Sequence, residues 1–215
     1  MLCSGDTCRA TFEDTVLDGC CLLVLSGAQI TLSNAAFNMA IPGCRAALGV
    51  LVHGTNSRIS LNGGSVQGGA QALAVQAGGR ANADGLTISG VGSGGIPTVV
   101  VRDQYSALHL LSCNVRAFSA HLDAGGRPSL PLHHGVCVGS RASARLQDCR
   151  LEHGQIGLCV AEGAQARAKN CHFANHTHAA GQVLGSGHPS THLTQLRVTD
   201  CVSSCLLYTS PSPRD

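Results

Sequence analysis

The sequence predicts an all-β fold, a right-handed parallel β-helix solenoid of about eight turns built from short strands. Three observations support this prediction. One pattern occurs twice in succession between Gly135 and Phe173, apolar residues recur at fixed offsets in every copy, and the composition favours thin layers. A fixed repeat of this kind is typical of solenoids, in which each repeat packs only against its neighbours.

The clearest repeat is GVCVGSRASARLQDCRL followed by GLCVAEGAQARAKNCHF, with a constant shift of 22 residues. The spacing between copies ranges from 20 to 36 residues, and the variation falls between the end of one pattern and the start of the next. Insertions confined to one place in a repeat are predicted to be loops on one side of the stack. Counted from the first apolar residue, the copies begin at Leu2, Leu22, Leu51, Leu73, Val100, Val136, Leu158 and Val183.

Each copy is predicted to contain three short strands. The first is the opening apolar triplet, which starts one residue early, at Val50 and Val99, in two copies. The second reads apolar, polar, apolar at offsets eight to ten, which indicates a strand with one buried face. The third follows a polar or glycine-rich corner, at offsets thirteen to fifteen. In the last copy, these offsets assign residues 191–193 to the second strand and residues 196–198 to the third.

The composition limits the kinds of side chain that can fill the core and the kinds of partner that are expected. Only 3% of the residues are aromatic and Trp is absent, so the core is expected to consist of small and β-branched side chains. The formal net charge of +2 gives no reason to expect nucleic acid as a partner. No apolar run reaches the roughly 18 residues that a membrane span requires, and nothing in the sequence indicates a compartment.

The two adjacent copies, GVCVGSRASARLQDCRLEHG and GLCVAEGAQARAKNCHFANH, resemble the repeats of the right-handed parallel β-helix, or pectate-lyase-like, superfamily. The resemblance extends over nearly all of the chain from Leu2 to Ser204. It implies the fold, whereas the superfamily's functions range from polysaccharide lyases, hydrolases and epimerases to adhesins and binding modules without catalysis.

A leucine-rich repeat is the alternative fold, because Leu193 to Cys201 also fits its L-x-x-L-x-L-x-x-C motif. That fold needs a helix or a comparable apolar segment on its convex side. The connecting segments from Ala174 to Gly187 and from His121 to Gly135 are instead rich in Gly, His, Asn and Pro.

The predicted repeats occupy residues 1–204, and residues 205–215 (CLLYTSPSPRD) share nothing with them. This tail resembles the translation of a sequencing adapter, so we interpret it as a non-native or disordered segment. The chain is accordingly expected to be an uncapped fragment. Unpaired strand edges at both ends would make such a fragment prone to aggregation.

Cys113, Cys149 and Cys171 share one predicted interior column, where stacked side chains lie about 4.8 Å apart and a disulfide needs Cβ atoms about 3.8 Å apart. We therefore expect free, buried thiols. His172, His176 and His178 lie close together in sequence and are the candidate metal ligands. No carboxylate accompanies them at a fixed spacing, so no metal site and no cofactor is predicted.

Basic residues dominate the outward columns of the later turns. Arg145, Arg167 and His192 are predicted to stack in one column, and Arg150, His172 and Arg197 in the next. These columns could bind an acidic polysaccharide or another protein, and the five candidate ligand-binding residues are Arg145, Arg150, Arg167, His172 and Arg197.

Catalysis on this kind of fold requires clustered acidic residues, either to hold calcium or to act as paired carboxylates. The chain has only 12 acidic residues, and the candidate catalytic group is Asp103, Asp123 and Arg127 around the longest insertion. The sequence therefore favours a non-catalytic carbohydrate- or protein-binding or structural module. A polysaccharide-active lyase, hydrolase or epimerase is the alternative.

Overall fold

The computed structural model describes residues 1–39, 48–69, 71–92, 96–119, 134–161, 163–184, 194–203 and 207–209. Its 25 strands, numbered β1 to β25 in chain order, form three parallel sheets, A, B and C, of nine, eight and eight strands. The chain visits the three sheets in rotation, and their inner faces enclose one apolar core. The predicted all-β parallel solenoid is confirmed. Within these residues, no helix has the length and apolar character needed to cross a membrane.

Successive turns add successive strands to each sheet. Sheet A contains β1 Leu2–Ser4, β4 Leu22–Leu25, β7 Leu48–His53, β10 Gln71–Gln76, β13 Val99–Val101, β16 His134–Val138, β19 Ile156–Ala161, β22 Ala179–Leu184 and β25 Leu207–Thr209. Sheet B contains β2 Arg9–Glu13, β5 Gln29–Ser33, β8 Arg58–Asn62, β11 Arg80–Asp84, β14 Ala107–Leu111, β17 Ser143–Gln147, β20 Gln165–Lys169 and β23 Gln195–Thr199. Sheet C contains β3 Val16–Asp18, β6 Ala36–Asn38, β9 Ser65–Gln67, β12 Thr87–Gly92, β15 Asn114–Ser119, β18 Arg150–Glu152, β21 His172–Ala174 and β24 Val202–Ser203.

Equivalent residues of neighbouring turns stack as the 22-residue shift predicts. Ala144 lies opposite Ala166 in sheet B, and Leu151 lies opposite Phe173 in sheet C. All four side chains are buried. Because parallel strands lie about 4.8 Å apart, each inward column forms a continuous apolar ladder through the core.

The predicted early start of two triplets is also confirmed, because Leu73 lies opposite both Val50 and Val99. The first copy is shifted by one residue relative to the predicted alignment, which places Leu2 opposite Leu22. Leu2 lies opposite Leu23, so Cys3 is the buried residue and Leu2 is exposed. Both residues are apolar, and hydrophobicity therefore could not distinguish the two registers.

The last turn corrects the predicted alignment. The predicted alignment places Val183 opposite Leu158, the first residue of the preceding copy. In the structure, Gly181 lies opposite Leu158. Leu196 lies opposite Ala166, so β23 belongs to sheet B and not to sheet C. The prediction was wrong because residues 196–198 also read apolar, polar, apolar, as the second strand of every copy does. Only the pairing with β20 identifies which strand they form.

The corner between sheets B and C explains why polar residues and glycine recur there. One residue at this corner has a positive φ in every turn, a conformation in which glycine, Asn and Asp are favoured. Asn34 donates a hydrogen bond to Asp14 at 3.3 Å, and Asn170 donates one to Asp148 at 3.1 Å, which links stacked corners. The corner column consists of Asp14, Asn34, Gly63, Gly85, Ser112, Asp148, Asn170 and Asp200.

The cysteine column predicted in the core is present. Cys113, Cys149 and Cys171 are buried, and the half-buried Cys201 extends the column into the last turn. Each thiol donates a hydrogen bond to the carbonyl oxygen two residues earlier, over distances between 3.1 and 3.3 Å. All ten described cysteines are free, which confirms the expected unpaired thiols.

Candidate functional site

The outer face of sheet B, which we call the B face, carries more charged side chains than the described strands of sheet A or sheet C. It consists of the outward side chains of eight strands, which stand in three parallel columns along the solenoid. The central column is Thr11, Thr31, Ser60, Asn82, His109, Arg145, Arg167 and Arg197. The column on one side includes Arg9, Arg58 and Arg80, and the column on the other includes Glu13, Asp84 and Lys169.

The B face concentrates positive charge. Its strands carry seven exposed basic side chains and only two acidic ones, Glu13 and Asp84, whereas the whole chain has a formal net charge of +2. Along the central column the character changes from hydroxyl and amide groups in the early turns to three consecutive arginines in the last three. Arginines in register on neighbouring strands repel one another, and an anionic ligand would relieve that repulsion.

A shallow groove of about 590 Å³ crosses the middle of the B face, lined by residues of β5, β8, β11, β14 and β17. Arg58, Arg80 and Arg145 surround Asn82 and His109 in its lining. A second depression of about 380 Å³ continues the face toward the last turn and is lined by Arg167, Lys169, Arg197 and their neighbours. The arrangement offers charged and neutral hydrogen-bond donors side by side along the solenoid axis.

The structure brings together three of the five predicted ligand-binding residues. Arg145 and Arg167 are in register on the B face, as predicted. Arg197 lies opposite Arg167, so it extends this column and is not stacked on His172 as expected. His192 lies outside the described residues. The basic column on the B face is therefore longer than predicted, because the last turn has the shifted register described above.

Arg150 and His172 lie opposite each other on sheet C, a different face from the other three candidates. Arg150 is paired there with Glu152, a carboxylate that is almost fully buried and that also accepts a hydrogen bond from Arg116 at 3.1 Å. Although burial alone raises the pKa of Glu152, the hydrogen bonds and charges of Arg150 and Arg116 outweigh it and hold the pKa below its ordinary value. Because Glu152 neutralises part of its charge, Arg150 should attract an anionic ligand less strongly than the arginines of the B face do.

Sequence reasoning missed Glu152, Arg58 and Arg80. The two arginines precede the apolar residue of the second strand, and the same alignment of copies would have placed them beside the central column. Glu152 carried no comparable signal, since a single acidic residue at the end of a predicted strand is usually solvated. Its burial is visible only from the tertiary structure.

Of the candidate catalytic residues, Asp103 is half-buried at the corner before β14, and Asp123 and Arg127 lie outside the described residues. The carboxylate of Asp103 accepts a hydrogen bond from the backbone N–H of Ala77 in the preceding turn, at 3.0 Å. This contact gives Asp103 a structural role at the corner. Whether the three residues act together stays a prediction.

Of the candidate metal ligands, His176 is buried, with Nε2 3.0 Å from the carbonyl oxygen of Leu151 and its ring 6.3 Å from that of Phe173. His172 is half-buried in β21, and His178 is exposed. Among the described residues, no three His, Cys, Asp or Glu side chains are grouped closely enough to hold a metal ion. The hydrogen bond and the ring contact of His176 support packing of the corner between β21 and β22.

His176 leads to a pH prediction. Burial lowers the pKa of its imidazole below the ordinary 6.5, so the unfolded chain binds a proton before the folded chain does. The free energy of unfolding should therefore fall as pH drops below about 6.5, until the pH reaches the lowered pKa. Urea denaturation at several pH values should show this fall, and His176→Gln should reduce its slope. Thr177→Ala, in the same corner, should keep the wild-type slope, and an unchanged slope in His176→Gln would contradict the assignment.

Comparison with known proteins identifies a fold. No protein-family model and no curated protein matches the chain. Among solved structures, the crystal structure of pectate lyase Pel9A is similar, with a TM-score of 0.54 and 10% sequence identity over 93% of this chain. The matched part is 54% of that protein, so this chain spans about half of its length. The chain thus shares with that lyase the right-handed parallel β-helix fold that its repeats predict.

Proposed function

We propose that the chain is a non-catalytic binding module whose B face binds an acidic polysaccharide. The observation that carries the proposal is the excess of basic side chains on this face, seven against two acidic ones, in columns in register along the solenoid. Carboxylate and sulfate groups form charge-assisted hydrogen bonds with arginine, often through both guanidinium nitrogens. Sugar hydroxyls would meet the Thr, Ser, Asn and His side chains of the earlier turns.

The shape of the B face supports an extended ligand. Its eight strands span roughly 34 Å at the usual interstrand spacing, and the three columns run along that length. A polymer lying along the axis would contact the same column at successive turns, so each contact adds to the last. The likeness to a pectate lyase supports a polysaccharide as the ligand class.

The distribution of acidic residues supports binding without catalysis. On the described B face, Glu13 and Asp84 are on β2 and β11, three strands apart in the sheet. Calcium-assisted or paired-carboxylate chemistry needs such groups within one site. The fold likeness to a lyase is nevertheless the observation that favours a polysaccharide-active enzyme as the second candidate.

A paired charge reversal tests the binding proposal. The double variant Arg145→Glu/Arg167→Glu should weaken binding of polygalacturonate by at least about tenfold, because charge-assisted hydrogen bonds contribute about 1.5 to 3 kcal/mol each. Titration calorimetry on the full chain provides the measurement. Binding by the wild type should also weaken as salt is added.

The control is Arg102→Glu/Arg141→Glu, which changes the net charge equally at exposed positions off the B face. It should retain most of the wild-type affinity. Equal losses in both variants would show a non-specific charge effect and overturn the proposal, as would binding of neutral polysaccharides alone. Tighter binding of single-stranded nucleic acid than of polygalacturonate would assign the face to a different polyanion.

Product assays test the enzymatic alternative. Incubation with acidic and neutral polysaccharides, with and without calcium, should release neither unsaturated products nor new reducing ends. If the wild type turns over a polysaccharide and Asp123→Asn or Arg127→Gln abolishes that turnover, the proposal of a binding module is wrong and the chain is an enzyme.

A further inference from the structure

The outer face of sheet A differs from the B face because its central column is mostly apolar. This column is Leu23, Leu51, Ala74, Val100, Cys137, Cys159 and Gln182. Cys137 and Cys159 are neighbours in it, on β16 and β19, and both line a groove of about 540 Å³. Cys137 is half-buried and Cys159 is 4% exposed, with Ile156 and Ala179 packed against the pair.

The two thiols are free, and their residues lie opposite each other on β16 and β19. Their backbones are held about 4.8 Å apart by the parallel pairing, whereas the Cβ atoms of a disulfide lie about 3.8 Å apart. Closing a disulfide would therefore require the two strands to distort. The register favours a bridging atom between the sulfurs over a direct S–S bond.

We propose that Cys137 and Cys159 form a two-coordinate site for a soft monovalent metal ion, Cu(I). Thiolate sulfur is the ligand type that Cu(I) prefers. The groove provides an approach to Cys137, and the apolar surroundings exclude the hard, oxygen-coordinated cations. No third His, Cys, Asp or Glu of the described residues completes a group with this pair, which disfavours the four-coordinate geometry of structural zinc.

Charge balance is compatible with binding of one Cu(I). Each thiol breaks its S–H bond and forms an S–Cu bond, so two protons leave as one Cu(I) enters, and the metal keeps its oxidation state. The S–Cu–S unit carries a single negative charge, which costs less to bury than the two charges of a pair of bare thiolates.

The test is an anaerobic titration of the reduced full chain with Cu(I) against a chromophoric Cu(I) chelator. Alkylation of each cysteine is mapped in parallel by mass spectrometry. One equivalent of Cu(I) should protect Cys137 from alkylation in the wild type, and this protection should be lost in Cys159→Ser. The affinity of the tightest site should fall at least about tenfold in each of Cys137→Ser and Cys159→Ser.

Cys20→Ser is the matched control, since Cys20 is half-buried and lies outside the pair. It should retain both the protection of Cys137 and the tightest affinity. Circular dichroism should show the same folded spectrum for all variants, so that any loss reports on the ligand and not on unfolding. If Cu(I) leaves Cys137 reactive in the wild type, or if Cys159→Ser retains full affinity, the site does not exist.

Discussion

Replacing Phe173 with alanine is expected to lower the free energy of unfolding by roughly 3 to 5 kcal/mol. Phe173 is among the largest fully buried side chains and lies opposite Leu151 in the inward column of sheet C. The core contains few aromatic side chains, and the hydrogen-bonded ladders hold the strands at fixed spacing. The surrounding structure therefore has little freedom to collapse into the cavity. Urea denaturation followed by circular dichroism would measure the loss.

His172→Ala is the matched control because His172 is the preceding residue of the same strand and its side chain faces outward. A surface substitution of this kind should change the free energy of unfolding by no more than about 0.5 kcal/mol. Comparable losses for the two variants would show that Phe173 is not a core residue, and the stacking of turns would then be wrong.

Gly64→Ala should have the second largest effect, a loss of roughly 2 to 5 kcal/mol. Gly64 has a φ of +79°, and an added Cβ would lie 2.8 Å from the backbone nitrogen of Ala35 and 2.9 Å from its carbonyl carbon. Two costs combine, since a side chain is unfavourable at this φ and the methyl group meets the backbone of the previous turn. Thermal and urea unfolding would both report the change.

Gly85→Ala separates these two costs. Gly85 has a similar φ of +63°, but nothing lies within 4 Å of an added Cβ. This variant should lose only the conformational part, about 1 to 2 kcal/mol. Gly85→Asn should lose less still, because Asn34 and Asn170 occupy the same corner column with positive φ. If Gly64→Ala and Gly85→Ala are equally stable, the contact between turns at Ala35 does not limit the fold.

In the candidate site, the alternation of apolar and polar residues predicts which side chains face outward but not always which strand they belong to. Arg145 and Arg167 were assigned to one outward column because a polar residue between two apolar ones must face away from the core. The same rule did not identify the strand to which Arg197 belongs, since residues 196–198 satisfy the pattern of more than one strand. Pairing between β20 and β23 decides this, and it brings a third arginine to the B face.

The burial of polar side chains could not be predicted from the sequence, for a different reason. Glu152 and His176 are both polar residues at corners, where solvent exposure is the ordinary expectation. Their burial depends on what the neighbouring turns place over them, including Arg116 from the turn before Glu152 and Leu151, whose carbonyl oxygen lies 3.0 Å from Nε2 of His176. These neighbours are 36 and 25 residues away in sequence, too far for a local pattern to indicate the contact.

By itself, the sequence determined the class of fold, the three strands per turn, the inward columns and the free thiols among them. Those features follow from local alternation and from a repeat in which every turn meets an equivalent turn. The 22-residue shift also predicts that Cys137 lies opposite Cys159, as observed. The tertiary structure alone decided the register of the first and last turns and, through the last, the addition of Arg197 to the B face. Register depends on hydrogen bonds between distant strands, and a shift of one or two residues changes which side chains meet.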